Sequence, residues 1–185
     1  MKECNKLVRD NVAGLLKDKG YAIKGKKVKG EEYTFKLYSL FWQEFNESKQ
    51  YSNPKYLQIH YADMLEAVRT LMLKNGLSLK DVESNETQPV KWYKNLVASP
   101  NRVKTATTDL LQKFYELLQI KTEAIKDQLI DIFNSFKQFV ESNNVDFAQV
   151  EMVRRAQYDK LGGYNKGIYL EGVTIKRDYS INLNR

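Results

Sequence analysis

The sequence predicts an all-α helical bundle with a small C-terminal β-hairpin. Three observations carry this expectation. Apolar residues recur at three- and four-residue spacing through most of the chain. The breaks between those stretches hold Gly, Asn and Pro, the usual helix stops and starts. Only the last stretch, residues 164–183, alternates with a period nearer two.

Taken in order, residues 5–20 read as a short helix with Leu7, Val8, Val12, Leu15 and Leu16 as its apolar stripe, closed by Gly20. Residues 21–30 are a basic loop or short strand. Glu31 and Glu32 open a second helix, where acids complement the helix dipole, and it runs to about Lys49 with Phe35, Leu37, Leu40, Phe41 and Phe45 on its apolar face. Ser52-Asn53-Pro54 breaks the chain, and a third helix covers residues 54–75, ended by Asn75-Gly76. A short fourth helix is expected after Ser78, an N-cap with Asp81 three residues on. Residues 84–101, with Pro89 and Pro100, read as a linker. A helical pattern then covers 102–142. Unbroken, it would be roughly 60 Å long, so it should break near Ile120–Thr122 or extend into a dimer contact. Asn143-Asn144 ends it. The last helix spans about Asp146 to Leu161 and stops at Gly162-Gly163, and the hairpin is centred on Glu171-Gly172.

The bulk properties narrow the classes of function. The chain has 185 residues, enough for one domain carrying an insertion, and 42 % apolar residues, which is ordinary for a globular protein. No apolar run approaches about 18 residues, so no membrane span is expected, and residues 1–9 lack the apolar core of a signal peptide. The one cysteine, Cys4, excludes an internal disulfide framework and fits a cytoplasmic setting. The net charge of +7 favours anionic partners. However, the lysines are scattered apart from Lys24–Lys29, and no aromatics interleave with them, so nucleic acid is not the favoured partner.

The chemistry is concentrated on two neighbouring helices. Glu44 and Glu47 are three apart and share a helix face. On the next helix His60 and Asp63 are also three apart, and Glu66 follows one turn later. The short connection makes the helices antiparallel neighbours, so their acids can converge. Gathered carboxylates repel one another unless a cation sits among them, and hard oxygen ligands suit Mg²⁺ or Mn²⁺. Acids at this spacing are also common on solvated helix faces, so the spacing leaves both readings open.

These residues belong to a wider pattern that resembles the MazG-like nucleoside triphosphate pyrophosphohydrolases. That family carries EExxE on one helix and ExxD on the next, matched here by Gln43-Glu44-Phe45-Asn46-Glu47 and His60-Tyr61-Ala62-Asp63. One branch, similar to phosphoribosyl-ATP pyrophosphohydrolase, begins with a segment like KLVRDKIP and ends with one like RGGFxKxIYLE. Residues 6–12 (KLVRDNV) and 161–171 (LGGYNKGIYLE) match those. The resemblance covers residues 5–83 and 150–172 and leaves out 84–149, which look like a helical insertion within a single domain of residues 1–185.

The resemblance implies an all-α, MazG-like enzyme that uses Mg²⁺ or Mn²⁺ to release pyrophosphate from a nucleoside triphosphate, and it implies a homodimer. It assigns Glu44, Glu47 and Asp63 to catalysis and the metal, adds His60 as a metal ligand, and makes Lys6, Arg9 and Lys166 candidates for substrate phosphate. Three positions depart from the pattern. Gln43 stands for the first acid, His60 for the fourth and Leu161 for the arginine. These departures keep open a nucleotide-binding protein that does not cut, and a basic helical interaction module is a third reading. Within the insertion, Lys113-x-x-Glu116 and Gln128-x-x-Asp131 repeat the spacing of the two acid frames to within one residue, which suggests a degenerate second copy.

Overall fold

The computed structural model describes residues 2–78, 100–117 and 124–175. Among them are six helices and one three-stranded antiparallel sheet: β1 (Lys2–Val8), α1 (Val12–Asp18), β2 (Tyr21–Lys27), α2 (Gly30–Ser48), α3 (Pro54–Lys74), α4 (Pro100–Leu117), α5 (Ile125–Ser142), α6 (Phe147–Leu161) and β3 (Ile168–Ile175). The chain divides into two compact units. One is Met1–Lys36 with Tyr158–Arg185, and the other is Leu37–Gln157.

The first unit is the sheet with α1 beside it. The strand order is β1-β3-β2, so the C-terminal strand is central. Leu7 and Val8 pair with Tyr169 and Ile168, and Tyr21 and Lys27 pair with Ile175 and Ile168. This overturns two expectations. Residues 5–8 are strand, and the helix begins only at Val12. Four residues are too few to separate a helical from an extended period, and Leu7 and Val8 are buried as neighbours under the sheet's pairing. The expected hairpin at Glu171-Gly172 is instead part of one strand, β3, whose pairing with both neighbours shifts register at Glu171. Its partners come from the N-terminal region, a pairing that no local alternation encodes. Phe35 is also displaced from the expected apolar face, being 63 % exposed.

The two end segments are fastened to each other. Backbone bonds run from Asp10 N–H to Gly163 O and from Asn11 N–H to Leu161 O, and the Asp10 carboxylate accepts the Lys166 backbone N–H at 2.7 Å. Tyr33 donates its hydroxyl to Tyr164 O at 2.7 Å. Gly167 has φ +60°, and a Cβ there would fall 2.4 Å from Val28 O. Only glycine fits this crossing.

The second unit is helical. Asn53 caps α3 by accepting the Lys55 N–H at 3.0 Å, with Pro54 in the first turn. The stretch read as one pattern over 102–142 is two antiparallel helices. Asp109 of α4 meets Ser135 of α5, and Glu116 meets Gln128. Ile120–Thr122, the short helix after Ser78 and the 84–99 linker lie outside the described residues. Aromatic rings fill the core between the helices. Phe41 packs on Phe114 at 4.1 Å and on Phe136 at 6.1 Å, Phe45 on Phe139 at 5.7 Å, and Tyr61 on Phe139 at 5.3 Å. Each of these rings is at most 4 % exposed, and truncating one would cost about 3–5 kcal/mol. None of the described helices is long and apolar enough to cross a membrane.

A buried ionic network ties α3 to α6. Arg154 donates to Glu66 at 2.7 Å and to Glu151 at 2.9 Å, while Arg69 and Arg155 each reach Glu151 at 3.0 Å. Burial pushes the Glu151 carboxyl up, but hydrogen bonds from Arg154 and Arg155 and the nearby charge of Arg69 outweigh it. They hold the group below its ordinary 4.5. A depressed carboxyl means that the unfolded chain binds the extra proton, so this stability is present above pH 4.5 and is lost as the pH falls through the folded value. Urea unfolding of the wild type should therefore show stability declining below about pH 4.5. In Glu151→Gln the decline should be shallower, and an identical acid limb in both proteins would refute the assignment.

Candidate metal centre

The helical stripe of α2 places an acid in the core. Leu37, Phe41, Glu44 and Ser48 follow one another at spacings of four, three and four, and all are buried. Glu44 is thus carried inward by the same geometry that buries the phenylalanines. A five-residue connection, 49–53, returns the chain as α3. Its inner face carries Leu57, Tyr61, Met64 and Leu65, and His60, next to Tyr61, is brought against the α2 acids.

The convergence is close. His60 Nδ1 lies 2.8 Å from Glu44 Oε2 and 3.8 Å from Glu47 Oε2. Gln43 donates Nε2–H to Glu47 Oε1 at 2.8 Å. One ligand atom from each of Glu44, Glu47 and His60 lies within 4.8 Å of the others. The His60 ring also stacks on Tyr51 at 5.1 Å and 22°, and Tyr51 stacks on Tyr56 at 5.3 Å. The imidazole is therefore held on a flat aromatic support while its edge faces the carboxylates.

Of the residues expected at the site, these three are brought together. Asp63 lies one turn beyond His60 on α3, half-buried, and is not within the 4.8 Å group. Glu66 is engaged by Arg154 instead. Lys6, Arg9 and Lys166 belong to the other compact unit. There Lys6 is half-buried on β1 and Lys166 is exposed. Arg9 is buried, donating to Gly162 O at 3.1 Å with its guanidinium 5.2 Å from the Tyr164 ring centre. Two features had little or no signal in the sequence. Arg154 is 88 residues from Glu66, and the Tyr51–Tyr56–His60 stack requires the turn geometry to be known.

No family model, curated protein or solved structure matches this chain.

Two carboxylates and one imidazole form an acidic N,O donor set. Even a protonated imidazole brings one positive charge against two negative ones. An ionised carboxylate can only accept, so with Glu44 ionised the 2.8 Å contact puts the hydrogen on Nδ1. A cation taking Nδ1 must displace that hydrogen, which a neutral imidazole can carry on Nε2 instead. The mixed set fits Mn²⁺ better than Mg²⁺, which prefers oxygen alone. Mn²⁺ should therefore raise the melting temperature of the wild type more than Mg²⁺ does, by the equivalent of about 2.7 kcal/mol at a hundredfold excess over the dissociation constant. In Glu44→Gln and Glu47→Gln the shift should vanish. Equal shifts in all three proteins would show that the ion binds elsewhere.

Proposed function

We propose that the chain is a metal-dependent nucleoside triphosphate pyrophosphohydrolase of MazG-like type, releasing pyrophosphate from a standard or modified nucleotide. The observation that supports this most is the convergence of Glu44, Glu47 and His60 from consecutive antiparallel helices, at the positions that the EExxE and ExxD frames single out. The two motif segments at the ends of the chain add weight, since they pair as β1 and β3.

A divalent cation held there would neutralise phosphate oxygens and lower the pKa of water near the α-phosphorus. Glu44 and Glu47 would supply the anionic ligands, with His60 beside them and Asp63 one turn on. Gln43 fixes the rotamer of Glu47 through the 2.8 Å bond, and Tyr51 fixes the plane of His60. In the reaction water adds to the α-phosphorus and pyrophosphate leaves as the bond to the β-phosphate oxygen breaks. Lys6, Arg9 and Lys166 are assigned to phosphate on the motif alone.

One observation favours a second reading, a protein that holds a nucleotide without cutting it. Gln43 and His60 replace two acids, and His60 already occupies Glu44. Two measurements separate the readings: pyrophosphate release across a nucleotide panel with Mn²⁺, and nucleotide binding in EDTA. The enzyme reading predicts turnover in the wild type and its loss in Glu47→Gln and Asp63→Asn, with the fold retained by circular dichroism. Tight binding that survives EDTA, with no turnover on any nucleotide, would establish the second reading instead.

A further inference from the structure

The helix pairs α2–α3 and α4–α5 repeat each other in detail. A shift of 69 residues takes Glu44 to Lys113 and Glu47 to Glu116, and a shift of 68 takes His60 to Gln128 and Asp63 to Asp131. Under the first shift Phe41, Phe45 and Ser48 fall on Leu110, Phe114 and Leu117, all buried. The Gln43–Glu47 bond of 2.8 Å recurs as Gln112–Glu116 at 2.8 Å.

The helix ends coincide as well. Asn75 Nδ2 donates to Leu71 O at 2.8 Å, and Asn143 Nδ2 donates to Phe139 O at 2.8 Å. Gly76 and Asn144 then take left-handed φ values of +73° and +58°. Leu77 N–H closes onto Met72 O, and Val145 N–H onto Val140 O. Amphipathic helices share burial patterns readily. They do not for that reason share an asparagine cap, a left-handed residue, an apolar closing residue and a Gln–Glu bond, all at a nearly constant shift.

The frames differ where the charge lies. Lys113 puts a cation where Glu44 puts an anion, and Gln128 replaces His60. Gln128 still reaches the retained glutamate, Glu116, at 3.3 Å, as His60 faces Glu47. Lys113 pairs with Asp109 at 3.6 Å. We propose that α4–α5 is a second copy of α2–α3 that has lost its cation site through Lys113 and Gln128, so that one chain joins a cation-competent half to a silent one. The word competent rests on the metal reading above, but the equivalence of the halves does not.

The test restores the missing groups in the intact chain. Bound Mn²⁺ per chain is counted by electron paramagnetic resonance for the wild type and for Lys113→Glu combined with Gln128→His. The expected result is one more ion in the variant than in the wild type, lost again when Glu116→Gln is added. An equal count overturns the proposal. A wild-type count of zero with a gain in the variant would sink the metal reading and leave the repeat standing. A count of one in both proteins would do the reverse. If circular dichroism shows the variant unfolded, Lys113→Asp with Gln128→His is counted in the same way, again for a gain of one. Failure of both variants to fold also overturns the proposal, because equivalent frames must accept equivalent residues.

Discussion

A carboxylate carried into a helical core has to be compensated, and the second unit of this protein is organised around that demand. Leaving a charge buried without a partner costs several kcal/mol. Two glutamates, Glu44 and Glu66, are each no more than 5 % exposed. They are offset differently. Glu66 faces Arg154, which is charged at every accessible pH, and Arg154 in turn is shared with Glu151. Glu44 faces His60, and a second acid, Glu47, stands close by. The first arrangement is closed and structural. In the second, two carboxylates meet one imidazole, the arrangement to which the proposed function assigns a cation.

This contrast explains why similar residue types have different roles on one helix. His60 and Glu66 are two three-residue steps apart on α3, which turns them about 120° from each other around the helix. His60 meets the α2 acids and the Tyr51 ring, while Glu66 meets α6. The aromatic core made by Phe41, Phe45, Phe114, Phe136 and Phe139 fixes how α2 and α3 lie, and so fixes the distance from Glu44 to His60. Loosening that core should therefore act on the cluster through the placement of α2 and α3.

Much of the helical unit was legible in the sequence, because long amphipathic segments report their own period. The bounds of α2 and α3 follow from Glu31-Glu32, Asn53-Pro54 and Asn75-Gly76, each a start or stop with a local physical cause. The pairing of Glu44 and Glu47 with His60 followed from spacing and a short connection. The sheet was largely hidden. Leu7 and Val8 fit a helix stripe as well as a strand, and β3 shows its role only once β1 and β2 lie on either side of it. The Glu66–Arg154 pair was hidden for the same reason, since contacts between residues far apart in the chain leave no periodicity. The repeat of α2–α3 in α4–α5 was visible as spacing alone, and the matching caps at Asn75 and Asn143 became evidence only when their bonds could be compared.

The claim on which everything functional depends is that Glu44, Glu47 and His60 share one cation. A crystal grown with Mn²⁺ and examined by anomalous diffraction tests it most directly. The account predicts a single strong manganese peak within bonding distance of all three side chains, with the His60 Nδ1 contact to Glu44 replaced by ligation. A map with no peak at the cluster, and His60 still hydrogen-bonded to Glu44 at about 2.8 Å, would contradict it.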